Sequence, residues 1–108
     1  MQQAQDFSIR YVSEGEIRSG DADLFCLVYS EAGRQLFFYG DPVRSESGAL
    51  LGSEIRIPRD LSNIQEPSIR CVILERIRDF SQQYNYVWHP NVSTRALDAE
   101  IIRLKRAA

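Results

Sequence analysis

The stretch "YNYVWHP", residues 84–90, holds the only histidine and the only tryptophan of the chain beside two tyrosines. A lone histidine constrains acid–base and nucleophilic chemistry, because a Ser–His–Asp or Cys–His arrangement would have to pass through His89. No G-x-S-x-G elbow presents a serine to it. The glycines of "ESGALLGSE" lack the lysine of a phosphate loop and do not join a strand to a helix. Cys26 and Cys71, far apart and with one histidine, make no zinc pattern. Asp21 and Asp23 could approach a hard cation, but "DADLFC" has neither the later ligands nor the central glycine of a calcium loop. The expectation is therefore a non-enzymatic protein without catalytic residue, metal or cofactor.

Alternation along 84–89 places Tyr84, Tyr86 and Trp88 on one side and Asn85, Val87 and His89 on the other, the pattern of a short strand. One side packs under helices in that reading. At a sheet edge the same aromatic row would be a docking surface, since Tyr and Trp combine apolar area with a polar tip. Tyr86 and Trp88 are its candidate anchors.

The elements around this strand follow from hydrophobic spacing. "FSIRYV" (7–12) alternates, with Phe7, Ile9 and Tyr11 on one face. "LFCLVYS" (24–30) and "QLFFYG" (35–40) are apolar strands joined by "EAGR", in which Gly33 fits the left-handed position of a three- or four-residue hairpin loop. Residues 41–52 read as turn and loop, and "SEIRIP" (53–58) as a strand ended by Pro58. Ser62-x-x-Gln65 allows one helical turn in the connector that follows. Pro67 opens a helix to about residue 83, with Ile69, Val72, Ile73, Ile77, Phe80 and Tyr84 as its stripe and Arg78 away from it. Ser93 or Thr94 caps a second helix, 94–106, with Leu97, Ile101, Ile102 and Leu104 inward and its acids early, its bases late. The order ββββαβα predicts an α+β fold: an antiparallel sheet of four to five strands, mostly a meander, with two helices packed on one face.

Composition narrows the class. A chain of 108 residues fits a single domain, and 44% hydrophobic with 26% charged residues is ordinary for a globular fold. No apolar run approaches a membrane span, and "MQQAQDFSIR" has no signal-peptide pattern, so a cytoplasmic protein is expected. Both cysteines sit in apolar settings and read as buried, unbonded thiols. A net charge of −2 argues against general nucleic-acid binding. Arg outnumbers Lys twelve to one, a bias that suits interfaces because the guanidinium fork pairs with carboxylates. Glu14, Glu16, Asp21 and Asp23 crowd one stretch in which Arg18 is the only base, a negative patch suited to a basic partner.

The layout "YSEAGRQLFFYG…SEIRIP…PSIRCVILERIRDF…YVW" resembles, over about residues 24–88, the small α+β immunity proteins found beside bacterial polymorphic toxins. It rests on element order and hydrophobic spacing. Where such families often carry a Trp after the strand that precedes the helix, this chain has "IPRDL". The resemblance implies a protein that binds and blocks one cognate toxin, and assigns no site residue. A homodimer is compatible with the same reading. The runners-up are a small enzyme whose site is completed by oligomerisation and a structural subunit of an assembly.

If the partner is a toxin acting on nucleic acid, its site is basic because it holds phosphates, and the acidic stretch would steer the encounter. Replacing Glu14, Glu16, Asp21 and Asp23 by Gln or Asn should slow association and flatten its salt dependence. Truncating Tyr86 or Trp88 should instead speed dissociation. Stopped-flow binding at two salt concentrations separates the two, and an unchanged association rate at low salt removes the acids from steering.

Overall fold

A computed structural model describes residues 6–12, 25–84 and 91–107. Its elements run β1 (Phe7–Val12), β2 (Phe25–Glu31), β3 (Arg34–Arg44), β4 (Leu50–Ile55), a short 3-10 helix (Arg59–Asn63), α1 (Pro67–Gln83), β5 (Val92–Ser93) and α2 (Arg95–Ala107). The fold is α+β. One sheet has the order β1-β2-β3-β4-β5, so its first four strands form the expected meander. The fifth departs from it: β5 runs parallel to β4. The chain returns over α1 between these two strands, and such a crossover delivers a parallel neighbour rather than a hairpin partner.

The most apolar strand is β2. Phe25, Leu27 and Tyr29 point to the face that carries the helices, while Cys26 and Val28 point to the other. Across from it on β3, Leu36 and Phe38 continue the inner face, and Gly40 lies opposite Phe25. A Cβ on Gly40 would stand 2.1 Å from the Phe25 ring, so this position admits only hydrogen. Ile55 from β4, Leu61 and Ile64 from the connector, and Ile73, Leu74, Ile77, Leu97, Ile101 and Leu104 from the helices complete the core.

The β2–β3 hairpin turns on Ala32 and Gly33 alone, both with positive φ (54° and 79°), and Glu31 pairs with Arg34. This two-residue turn is tighter than the expected loop. Its two left-handed residues match the right-handed twist of the flanking strands. The stretch 41–52 also differs from the sequence reading. β3 continues through Pro42 to Arg44, the reversal occupies residues 45–49, and β4 starts at Leu50 and ends at Ile55. Pro42 does not break the strand but pairs with Ser53 inside the ladder. In the connector, Ser62 Oγ donates to the Arg59 carbonyl at 2.7 Å instead of capping a helix.

α1 occupies the expected span, but its buried arc is rotated. Cys71, Ile73, Leu74, Ile77 and Ser81 are buried, whereas Ile69 and Val72 are 40% and 41% exposed and Tyr84 is also exposed. The helix packs on the sheet below it and on α2 beside it, where Lys105 Nζ lies 2.9 Å from Glu75 Oε2. This second contact draws in Cys71 and Leu74 and frees Ile69 and Val72. Phe80 is partly buried against the core, as expected. On α2, Leu97, Ile101 and Leu104 are buried but Ile102 is 54% exposed, being one residue off the i, i+4, i+7 line. The Ser93 hydroxyl accepts from the Arg95 N–H at 3.2 Å, and Thr94 Oγ1 donates to Asp98 at 3.3 Å. Both cysteines are buried and unbonded, and burial pushes the Cys26 thiol up to about 11. Among the described residues no helix is long and apolar enough to cross a membrane.

The rotated arc is testable by truncation. Ile73→Ala and Ile77→Ala should each cost about 2–5 kcal/mol through lost burial and the cavity left. Ile69→Ala and Val72→Ala should each stay below about 1 kcal/mol. Equal costs at all four positions in denaturant melts would restore the stripe read from the sequence.

Candidate functional site

None of the six residues singled out from the sequence falls in the described part of the structure. Glu14, Glu16, Asp21 and Asp23 precede β2, and Tyr86 and Trp88 lie between α1 and β5, outside the described residues, as does His89. Of the aromatic stretch, Tyr84 is described. Its ring stacks on Tyr11 at 5.2 Å and on Phe80 at 5.3 Å, tying the end of α1 to β1.

The described residues gather a different site where the end of β2, the start of β3 and the first half of α1 meet. Strand alternation turns Tyr29 toward α1, and its hydroxyl donates to Glu31 Oε1 at 2.6 Å. From α1, Arg76 Nη1 donates to the Tyr29 hydroxyl at 2.6 Å and to both Glu31 oxygens at 3.3 Å. The guanidinium carbon lies 4.1 Å from the centre of the Phe7 ring, and Phe7 in turn stacks on Tyr29 at 5.7 Å. A cation sandwiched in this way between a carboxylate, a phenol and a ring face is held in one rotamer. Burial works against the charge of Arg76, but the bonds and fields of Tyr29 and Glu31 outweigh it and hold the guanidinium above its ordinary value. Tyr29 moves up to about 12, first because burial penalises the phenolate and then because its proton is engaged by Glu31, with Arg76 opposing.

Beside this network is a groove of about 350 Å3, lined by Tyr29 and Ile73 below, by Ser68, Ile69, Val72 and Arg76 along α1, and by Glu31, Ala32 and Arg34 at the hairpin. Its surface is mainly apolar. The volume suits one or two large side chains. A second depression, on the other face of the sheet, is more polar. It is lined by Phe37, Tyr39, Arg56 and residues 57–60, with Arg56 stacked over Tyr39 at 5.4 Å and paired to Asp41 at 3.0 Å. Tyr29 and Glu31 are each engaged within the network, and the buried phenol is protonated at neutral pH. Among the described residues, no three His, Cys, Asp or Glu side chains converge as metal ligands would.

Sequence reasoning missed this site because Arg76 and Tyr29 are 47 positions apart. One local signal was present: the apolar arc of α1, from Ile69 round to Leu74, is wider than a single contact face needs. No family model matches the sequence, and no curated protein or solved structure matches it either.

The raised Tyr29 group fixes the sign of a pH effect. The folded state retains the phenol proton above pH 10, where the unfolded chain releases it. Stability from this residue is therefore complete below about pH 10 and is lost as pH rises toward about 12. Thermal melts across this window should fall more steeply for the native chain than for Tyr29→Phe. A Cys26→Ala, Cys71→Ala background removes the contribution of the two buried thiols, both of which burial also raises. Parallel slopes in that background would show that Tyr29 is not linked to unfolding.

Proposed function

We propose that this chain is a non-catalytic protein-binding module, and in its most specific form an immunity-type protein that binds and neutralises a cognate toxin in the cytoplasm. The observation that carries the first part is the clustering of exposed apolar side chains at one place. Ile69 and Val72, each about 40% exposed, line the groove, and Phe7, 41% exposed, stacks on Arg76 beside it. Scattered exposed apolar residues need no explanation, but a cluster rimmed by charged groups is the usual make-up of a protein contact. The rigid Tyr29–Glu31–Arg76 support keeps the cost of ordering such a surface low, since its side chains are already fixed before a partner arrives. The narrower reading, toxin neutralisation, rests on the resemblance of layout and on the acidic stretch at 14–23.

The decisive experiment uses the reading frame next to this one. Expressed alone in a bacterial host, the neighbour should arrest growth. Expressed with this chain it should be tolerated, and the two should co-purify. A harmless neighbour, or a toxic one unaffected by this chain, would overturn the toxin reading.

A further inference from the structure

The groove beside α1 carries more information than its apolarity, because its rim has a definite charge. Glu31, the acid on that rim, accepts from both Tyr29 and Arg76, so its charge is spent inside the protein. Arg34, directly across the hairpin from Glu31, is exposed and has no ion-pair partner among the described residues. Of the two arginines that line the groove, Arg76 is paired with Glu31, whereas Arg34 is not paired among the described residues. Asp6, just before β1, lines an adjoining shallow depression that shares Glu31 and Ala32 with the groove, and it makes no ion pair with Arg34. The groove thus offers an apolar floor and wall from Ile69, Val72 and Ile73, with one uncommitted guanidinium at its mouth.

Building on the protein-binding function above, we infer that the groove receives a segment of the partner protein in which a large apolar side chain is followed at once by a carboxylate. The apolar side chain would fill the space between Ile69, Val72 and Tyr29, removing Ile69 and Val72 from water. The carboxylate would meet Arg34, whose planar fork pairs with a carboxylate through two parallel N–H donors. The arrangement also discriminates. A lysine in place of the acid would face Arg34 across a partly desolvated rim, where like charges repel. The acidic stretch at 14–23 would meet a different and basic part of the same partner, so the two contacts have opposite sign and together fix an orientation.

The probes are two short peptides, acetyl-GLEG-amide and acetyl-GLKG-amide, titrated to millimolar concentration into the isotopically labelled full-length chain while amide shifts are followed. The GLEG peptide should shift the amides of Ala32, Ile69, Val72 and their neighbours, and should bind at least about threefold more tightly than GLKG. Arg34→Glu should reverse that order. Val72→Asp, at an exposed position, should abolish the shifts while leaving a dispersed spectrum, and Ile69→Ser serves the same purpose if Val72→Asp does not fold. Absence of shifts at the groove, or an order that Arg34→Glu leaves unchanged, would overturn the inference. Protection in co-expression that survives Arg34→Glu and Ile69→Ser would also overturn it, and would leave the protein-binding function standing with its contact elsewhere. Specific GLEG binding beside a harmless neighbour would overturn the toxin reading and leave the groove assignment intact.

Discussion

The ring of Phe25 lies across Gly40, and the rest of the sheet is arranged by that contact. A side chain on Gly40 would collide with the ring, and a slip of one residue would bring Tyr39 or Asp41 opposite Phe25 instead. Register here decides which side chains of β2 and β3 face the helices. With Phe25 on Gly40, the inner face receives Leu27, Tyr29, Leu36 and Phe38, and the outer face receives Cys26, Val28, Phe37 and Tyr39. The hairpin turn enforces the same register from the other end, since Ala32 and Gly33 leave no slack between Glu31 and Arg34. Two constraints at opposite ends of one strand pair make the alternation unambiguous.

What that register delivers is the Tyr29 hydroxyl, placed within reach of Arg76 on α1. Tyr29 is the last core residue of β2, and its ring is buried while its oxygen accepts from Arg76. The network therefore fastens the middle of α1 to the hairpin end by charge-assisted bonds, beside the apolar contacts of Ile73 and Ile77. The second helix presses on the opposite flank of α1 through Lys105 and Glu75. Between these holds, Ile69 and Val72 have no internal surface left to cover. Their exposure results from the rotation of α1 that buries Cys71 and Leu74.

Much of this was legible from the chain alone. Pro67 at the first turn and the apolar spacing after it placed α1 on its observed span, and the alternation of 7–12 gave β1. What failed was reading that depended on partners distant in sequence. Pro42 looked like a turn because a proline removes a ladder donor, yet the β4 strand accommodates it opposite Ser53. The phase of α1 was misjudged because period alone cannot tell one packing neighbour from two. The pairing at the heart of the site failed for the same reason: neither Tyr29 nor Arg76 has any local feature that announces the other. The parallel entry of β5 is also a property of the crossover and not of the two residues that form it.

That parallel pair has a consequence for how the molecule assembles. The contacts among β1 to β4 join strands that are adjacent in the chain, so their closure entropy is small and their hairpins can form early. The pairing of Ser53 with Val92 instead closes a loop that spans the whole of α1, and two bridged residues return little for it. The C-terminal piece, β5 with α2, therefore depends on α1 being already seated, and its own hold is the burial of Leu97, Ile101 and Leu104. Those three side chains belong to the same core as Ile73, Leu74 and Ile77, so the last piece of the chain to be seated completes the core that the meander began.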